Sequence, residues 1–384
     1  MTSKYGVWWK SQILANGICI DESVINNYDL SFLEKRCAYG IQDPEEYKSI
    51  RIPQEMFILP EEIVCAININ TKSEYVLYYH TENKAYYVKN KSNQIMVGFP
   101  KRPKFYEKSL LLNNQIKVNQ VLTLYGGHSL GAFLIRNCWM EEHGVCHFCS
   151  LCNNHSKQND FLNIIGDNVL EDSIRIALED DYPITQIMLN GGNLSNLDDN
   201  FKFYANKVIK IRNLLDKLKK TDIELHLIVS PPKDLQLIEM LKSQKIKIAM
   251  NMETYDNELF SKFCPGKQKY IGHEHIFHSL KKSVDILGEE NVYSIFVGGL
   301  ESLHSLKCGL EVMKYNGIVP VVNILHIDPN TLIQENQRPS SDYIFTLGKI
   351  LQNIYSTYSS SFTPFYYNCG RNSIDSEAYN SLFF

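Results

Sequence analysis

The sequence predicts an α/β fold organised as a partial (β/α)6-type TIM barrel, and three observations carry that prediction. Between about residues 121 and 325, strand-length apolar stretches alternate with stretches whose apolar residues recur at helical spacing. The chain has 384 residues, 44% of them hydrophobic, which suits one large α/β barrel with additions or two or three domains. It carries no internal repeats and no low-complexity tracts.

Taken in order, the core region 121–335 reads as strand 121–125, helix 169–178, strand 185–190, helix 203–218 and strand 224–229, which stops at Ser230-Pro231-Pro232. Helix 233–243, strand 246–250, helix 274–287, strand 292–297, helix 304–315 and strand 319–325 follow. Repeated β–α units imply parallel strands joined by right-handed crossovers. Chemistry in such a sheet is expected at the C-terminal strand ends. Residues 1–120 read as a β-rich N-terminal domain, with a hairpin of 76–80 and 85–88 about Thr81-Glu82-Asn83-Lys84 and a further strand at 62–69. No catalytic spacing occurs there, so a packing or lid role is expected. Residues 336–384 form a C-terminal extension: a helix at 341–358, then a polar, aromatic tail holding Cys369.

The formal charge is −4, with no basic excess to hold nucleic acid nonspecifically. The basic runs at 207–212 and 217–220 lie among acids and read as solvated helix faces. No apolar run of about 18 residues occurs, so no membrane span is expected. The first twenty residues lack a signal-peptide core, so a reducing, cytoplasmic setting is expected.

There the ten cysteines matter. Cys19, Cys37, Cys65, Cys264, Cys308 and Cys369 are scattered, whereas Cys138, Cys146, Cys149 and Cys152 fall within fifteen residues. Clustered cysteines in a reducing compartment point to a metal or to catalysis. Tetrahedral zinc usually takes paired C-x2-C units far apart in sequence. Three close cysteines suit a [4Fe–4S] cluster with one iron left open. The cluster overlaps C-x7-C-x2-C with C-x2-C-x2-C, so Cys152 competes with Cys138 as third ligand.

This loop resembles that of the radical S-adenosylmethionine (SAM) superfamily, whose usual spacing is C-x3-C-x2-C; here the first gap is expanded. The resemblance implies that Cys138, Cys146 and Cys149 ligate the cluster and that Phe148 packs near the SAM adenine. Three downstream motifs share it. Asn190-Gly191-Gly192-Asn193 resembles the family's Gly-Gly-Glu motif, where oxygens accept from the SAM ammonium group. Asn193 stands in place of the usual Glu, keeping a carbonyl acceptor without the charge. Asn251-Met252-Glu253 resembles the ribose contact of biotin-synthase-like members. Ser294-Ile295-Phe296-Val297-Gly298-Gly299-Leu300-Glu301 resembles the fifth-strand G-x-I-x-G-x-x-E motif, which assigns Gly298 to the cofactor. Tyr255-Asp256, Cys264-Pro265-Gly266-Lys267 and Leu287-Gly288 fit the same neighbourhood.

The resemblance implies an enzyme that cleaves SAM reductively to a 5′-deoxyadenosyl radical, which abstracts hydrogen from a small-molecule or peptide substrate. It also implies a reducing partner such as flavodoxin or ferredoxin. Catalytic residues and net reaction are not legible, since one core hosts many reactions. No D-x-H-x2-G pattern suggests cobalamin, and no G-x-G-x-x-G or Walker loop suggests NAD or a nucleoside triphosphate.

Two other classes compete. Gly127-His128-Ser129-Leu130-Gly131 matches the nucleophile elbow of α/β-hydrolases, with Asp285 and His326 as nominal partners. A cysteine-rich loop follows where a long helix should stand, so Ser129 reads better as lead-in to that loop. The other class is a non-catalytic zinc module on the four clustered cysteines. His273, His275 and His278 read as a polar helix start.

Overall fold

Runs of Val, Ile, Leu and Tyr fold into two separate sheets in the computed structural model of the chain, which describes residues 3–29, 31–33, 52–111, 113, 115–152, 162–328, 330–359 and 361–383. Cys37 lies outside these residues. The chain divides into two compact units: Met1–Arg102 with Val297–Leu303 and Val322–Phe384, and Pro103–Phe296 with His304–Val321. The N- and C-terminal segments, read from sequence as separate domains, thus share one unit. Among the described residues no helix is long and apolar enough to cross a membrane.

The first unit holds strands β1 (Cys19–Ile20), β2 (Glu55–Ile58), β3 (Ile63–Ala66), β4 (Val76–His80), β5 (Ala85–Lys89) and β6 (Gln94–Gly98), in the order β1-β4-β5-β6-β2-β3. The expected hairpin is present, with Val76 opposite Lys89 and His80 opposite Ala85. Helix Ser3–Asn16 buries Trp9 and Ile13, four residues apart and so on one face. A polar link ties this helix to the chain's last fifteen residues. Lys10, 1% exposed, places Nζ 2.9 Å from both carboxylate oxygens of Glu377 and donates to the Gly370 carbonyl at 3.3 Å. The Ala66 amide on β3 donates to the Arg371 carbonyl at 3.0 Å.

Asp375 is fully buried in the same unit and accepts hydrogen bonds from the Tyr355 hydroxyl (2.6 Å), the Val322 amide (3.3 Å) and the Ser373 hydroxyl. Burial disfavours its charged form more than these bonds favour it, so its pKa is pushed up from 3.8 to about 6. Its contribution to stability is therefore fully present below the unfolded value and is lost as pH rises through about 6. A rise of that size corresponds to about 3 kcal/mol. Asp375→Asn is expected to remove this part of the decline, which denaturant melts across pH 4 to 8 will show as a flatter profile than the parent's.

The second unit is built on β7 (Leu122–Tyr125), β8 (Ser129–Phe133), β9 (Gln186–Asn190), β10 (Glu224–Ile228), β11 (Lys247–Ala249), β12 (Val292–Gly298) and β13 (Val319–Ile324). These lie side by side in sequence order; the last residues of β12 and β13 fall in the first unit. Strands β8 to β12 pair in parallel, as alternation predicts. Helix Asp167–Glu179 crosses from β8 to β9 and buries Leu170, Ile174 and Ala177 at helical spacing. Helix Leu197–Lys217 crosses from β9 to β10, with the Asn196 side chain capping the amides of Asp198 and Asp199. Helix His273–Leu287 precedes β12.

The opening of the seven-stranded sheet departs from expectation and corrects it. The strand expected first, at 121–125, is β7, and it pairs antiparallel with β8. Gly126 and Gly127 take φ of 57° and 74°, and the His128 amide donates to the Tyr125 carbonyl at 3.2 Å. A tight turn with both central residues at positive φ reverses the chain into a hairpin. The parallel set therefore opens on β8. The same hairpin removes the hydrolase elbow, which requires a strand-to-helix turn exposing the serine. Ser129 instead starts a strand, is 0% exposed, and its Oγ has no hydrogen-bond partner among the described residues. Asp285 is exposed on its helix, and His326 faces Asp328 at 3.4 Å.

Candidate active site and metal centre

The candidate site lies where β8, β9 and β11 end, in the second unit. After β8 the chain runs through Asn137 and Cys138 directly over the turn that follows β9. The Gly192 amide donates to the Ile135 carbonyl at 2.7 Å, and the Trp139 amide donates to the Asn193 carbonyl at 2.9 Å. The approach is so close that a Cβ on Gly192 would fall 1.9 Å from the Asn137 oxygen and 2.9 Å from the Cys138 Cα. Gly191 takes φ of 149°, and a Cβ there would lie 2.6 Å from the Ile135 oxygen. The Gly-Gly pair is thus the seat of the cysteine loop. The Gly192 carbonyl already accepts from the Tyr204 hydroxyl at 2.8 Å. The Asn193 side chain points its amide nitrogen at the Cys138 sulfur, 3.7 Å away, and its oxygen accepts from Asn200 at 3.3 Å.

Cys138, Cys146, Cys149 and Cys152 are all half-buried free thiols, as is the Phe148 ring beside them. They act on one another electrostatically. Burial and then the charge of Cys146, with Cys138 and Cys152 adding, push the Cys149 thiol up to about 12. Cys152 is also pushed up to about 12, by burial and by a hydrogen bond to the Glu141 carboxylate. Cys146 moves the other way. A hydrogen bond with Cys264 lowers its pKa against the burial that would raise it, and the Lys267 charge assists. Among the described residues no three His, Cys, Asp or Glu side chains close on a single-ion site.

The third strand end brings Asn251-Met252-Glu253 alongside β12. The Glu253 amide donates to the Ile295 carbonyl at 3.0 Å, and the Met252 amide to the Ser294 hydroxyl at 3.2 Å. Ser294, a departure from the glycine of the fifth-strand motif, therefore positions the neighbouring strand end. Glu253 sits at φ of 64°, a strained conformation for a residue with a side chain. Its carboxylate, 4% exposed, is bonded to the Lys267 ammonium. Burial opposes the Lys267 charge, but Glu253 outweighs it and holds the lysine above its ordinary range.

Two buried side-chain oxygens at these strand ends have no partner among the described residues: Asn251 Oδ1 and Asn190 Oδ1. Asn190 shares a strand face with Gln186 and Met188. Gly298 falls in the first unit, where a Cβ would lie 2.9 Å from a Val322 methyl and 3.1 Å from a Leu347 methyl. Two of the three histidines make structural contacts: His273 Nε2 lies 2.8 Å from the Thr254 carbonyl, and His275 Nε2 lies 2.7 Å from that of Pro232, while His278 is exposed.

The residues present fit an iron–sulfur cluster by their donor chemistry. Four thiols stand on one loop, metal binding takes their protons, and the Lys267 charge beside Cys146 offsets the negative charge that thiolates bring. The orphaned Asn190 and Asn251 oxygens fit a ligand that carries hydrogen-bond donors, since a buried acceptor left unmade costs about 1–3 kcal/mol. Asn190 and Lys267 stand in motifs read from sequence but have no role assigned there. Asn190 stands directly before the Gly-Gly pair, and Lys267 follows Cys264-Pro265-Gly266; a strand-end polar residue and a cation beside a proline-started helix were the available signals.

No family model matches the chain, and no curated protein matches it in sequence. Among solved structures, it is similar to a radical SAM methyltransferase from Sphaerobacter thermophilus, with a TM-score of 0.44 and 15% identity over 74% of this chain and 76% of that one. It is also similar to the FeFe-hydrogenase maturase HydG from Carboxydothermus hydrogenoformans, with a TM-score of 0.45 and 17% identity over 61% of this chain and 53% of that one. Similarity to SuiB from Streptococcus suis has a TM-score of 0.44 and 13% identity, over 65% of this chain and 50% of that one. The chain spans about half the length of HydG and of SuiB.

Proposed function

We propose that the chain is a radical SAM enzyme whose core is a partial (β/α) barrel, with a [4Fe–4S] cluster on Cys138, Cys146 and Cys149. The observation that carries this reading is the seating of the cysteine loop on Gly191-Gly192 at the end of β9, beside strand ends with orphaned acceptors at Asn190 and Asn251. The metal loop and the two orphaned oxygens then stand at the C-terminal ends of strands of one parallel set. When bound, the cluster supplies one-electron reductive cleavage of SAM, leading to hydrogen abstraction from a small molecule or peptide. The protein's own residues bind and orient. Asn193 steadies Cys138, and Asn251 offers its oxygen to a ribose hydroxyl. The Lys267 ammonium occupies the Glu253 carboxylate and holds that strand end against the cysteine loop. Cys152, already bonded to Glu141, is the less suited third ligand.

Anaerobic reconstitution with iron and sulfide tests this. A brown protein is expected, with a reduced EPR signal that SAM perturbs and with 5′-deoxyadenosine formed under dithionite. Iron content is expected to fall to background in Cys138→Ala, Cys146→Ala and Cys149→Ala, and to persist in Cys152→Ala. A colourless protein holding one zinc, or full 5′-deoxyadenosine production by Cys149→Ala, would refute the reading.

A further inference from the structure

Cys264 lies more than a hundred residues beyond the cysteine cluster, yet the backbone carries it to Cys146. Two segments pass each other in opposite directions here. The His147 amide donates to the Phe263 carbonyl at 2.8 Å. At the other end, a Cβ on Gly144 would fall 2.5 Å from the Gly266 nitrogen, and one on Gly266 would fall 2.4 Å from the Gly144 oxygen. Residue 147 thus faces 263, and 144 faces 266. The same register sets 146 opposite 264. The two thiols are in hydrogen-bond contact, and the backbone contacts on either side hold them there, so a disulfide can close between them with little movement. Cys146 is half-buried and Cys264 buried.

We propose that Cys146 and Cys264 form a redox pair, in which a small-molecule disulfide converts the metal-free protein to a form locked by a Cys146–Cys264 bond. The Cys146 thiolate attacks one sulfur of the oxidant and expels the first small thiolate, leaving a mixed disulfide. The Cys264 thiolate then attacks the Cys146 sulfur and expels the second. Two electrons pass from the protein pair to the oxidant, and the two thiol protons end on the released thiols or in solvent. The bond itself depends only on the register. Its consequence, that the lock withholds Cys146 from metal, rests on the ligand assignment proposed above.

The test uses full-length, metal-free protein incubated with oxidised glutathione under argon, then alkylated, digested and mapped by mass spectrometry. A peptide pair joining Cys146 to Cys264 is expected. It should be lost in Cys264→Ser and Cys264→Ala, where glutathione stays on Cys146; circular dichroism establishes that at least one variant is folded. Cys146 joined instead to Cys138, Cys149 or Cys152, or left unmodified, would overturn the pair. Iron uptake is then read on the oxidised protein without added reductant. Loss of uptake, restored by dithiothreitol, is expected. The linked peptide with undiminished uptake would overturn the ligand role of Cys146 while the pair stood.

Discussion

Gly192→Ala is expected to lose metal loading and to be severely destabilised. The atoms that a new Cβ would meet are the Asn137 oxygen at 1.9 Å, the Asn137 carbonyl carbon at 2.7 Å and the Cys138 Cα at 2.9 Å. All belong to backbone, so no rotamer change relieves them. A normal contact is about 3.5 Å, so the cysteine loop must lift off the β9 turn. That movement breaks the Gly192–Ile135 and Trp139–Asn193 backbone bonds, which fix where Cys138 stands. Overpacking a well-filled site costs about 1–3 kcal/mol and occasionally more; here the upper end is expected, because two hydrogen bonds are lost with it. Iron bound after reconstitution should fall to background and the denaturation midpoint should drop. Gly166→Ala is the control. Nothing lies within 4 Å of a Cβ there, so both readouts should stay near those of the parent. A Gly192→Ala protein with parental iron content would show that the loop does not depend on this seat.

The second large effect is expected from Lys267→Met. Glu253 is 4% exposed, and Lys267 is its ion-pair partner at 15% exposure. Removing one member of a buried pair leaves the other charge without compensation, at a cost of about 3–5 kcal/mol. The double variant Lys267→Met/Glu253→Gln should recover most of that loss, since it removes both charges together. Urea unfolding of the parent, the two single variants and the double variant gives the coupling directly. A cost for Lys267→Met under about 1 kcal/mol, the range of exposed pairs, would mean that water reaches Glu253. The pair links Asn251-Met252-Glu253 to the Cys264-Pro265-Gly266-Lys267 turn, so its loss should also loosen the contact between that turn and Cys146.

The strands and helices of the second unit were legible because their apolar periods differ, two for strands and 3.6 for helices. Several predicted and observed spans there agree to within a few residues, as for Val292–Gly298 and His273–Leu287, whereas the helix read at 203–218 starts at Leu197 and the stretch read at 233–243 forms a 3-10 helix over Leu235–Leu241. The leading strand was misplaced for a local reason: Gly126 and Gly127 read equally well as an elbow or a hairpin turn, and only the pairing of β7 with β8 decides. The cysteine loop was legible as a metal candidate from spacing alone. Its neighbours were not. Lys267 and Glu253 are fourteen residues apart on different elements, and no period or motif joins them. The seat under Cys138 was read from sequence as a ligand contact, because glycine permits close approach without saying what approaches. The joining of the two chain ends in one unit was equally hidden. A lysine at position 10 and a glutamate at position 377 are ordinary surface residues until the fold buries them together.

That buried ion pair has a consequence for synthesis. Lys10 emerges from the ribosome 367 positions before its partner. Domains generally fold as units during translation, N-terminal parts first, at about 5–20 residues per second. The first unit cannot follow that order, since it draws on Val322–Phe384 for completion. The second unit is nearly contiguous, and its sheet has all its strands once Ile324 is out. The last-made unit is therefore the one that contains helix Ser3–Asn16. For roughly tens of seconds helix Ser3–Asn16 carries Trp9, Lys10 and Ile13 without their final surroundings, so that helix depends on protection until residues 322–384 arrive.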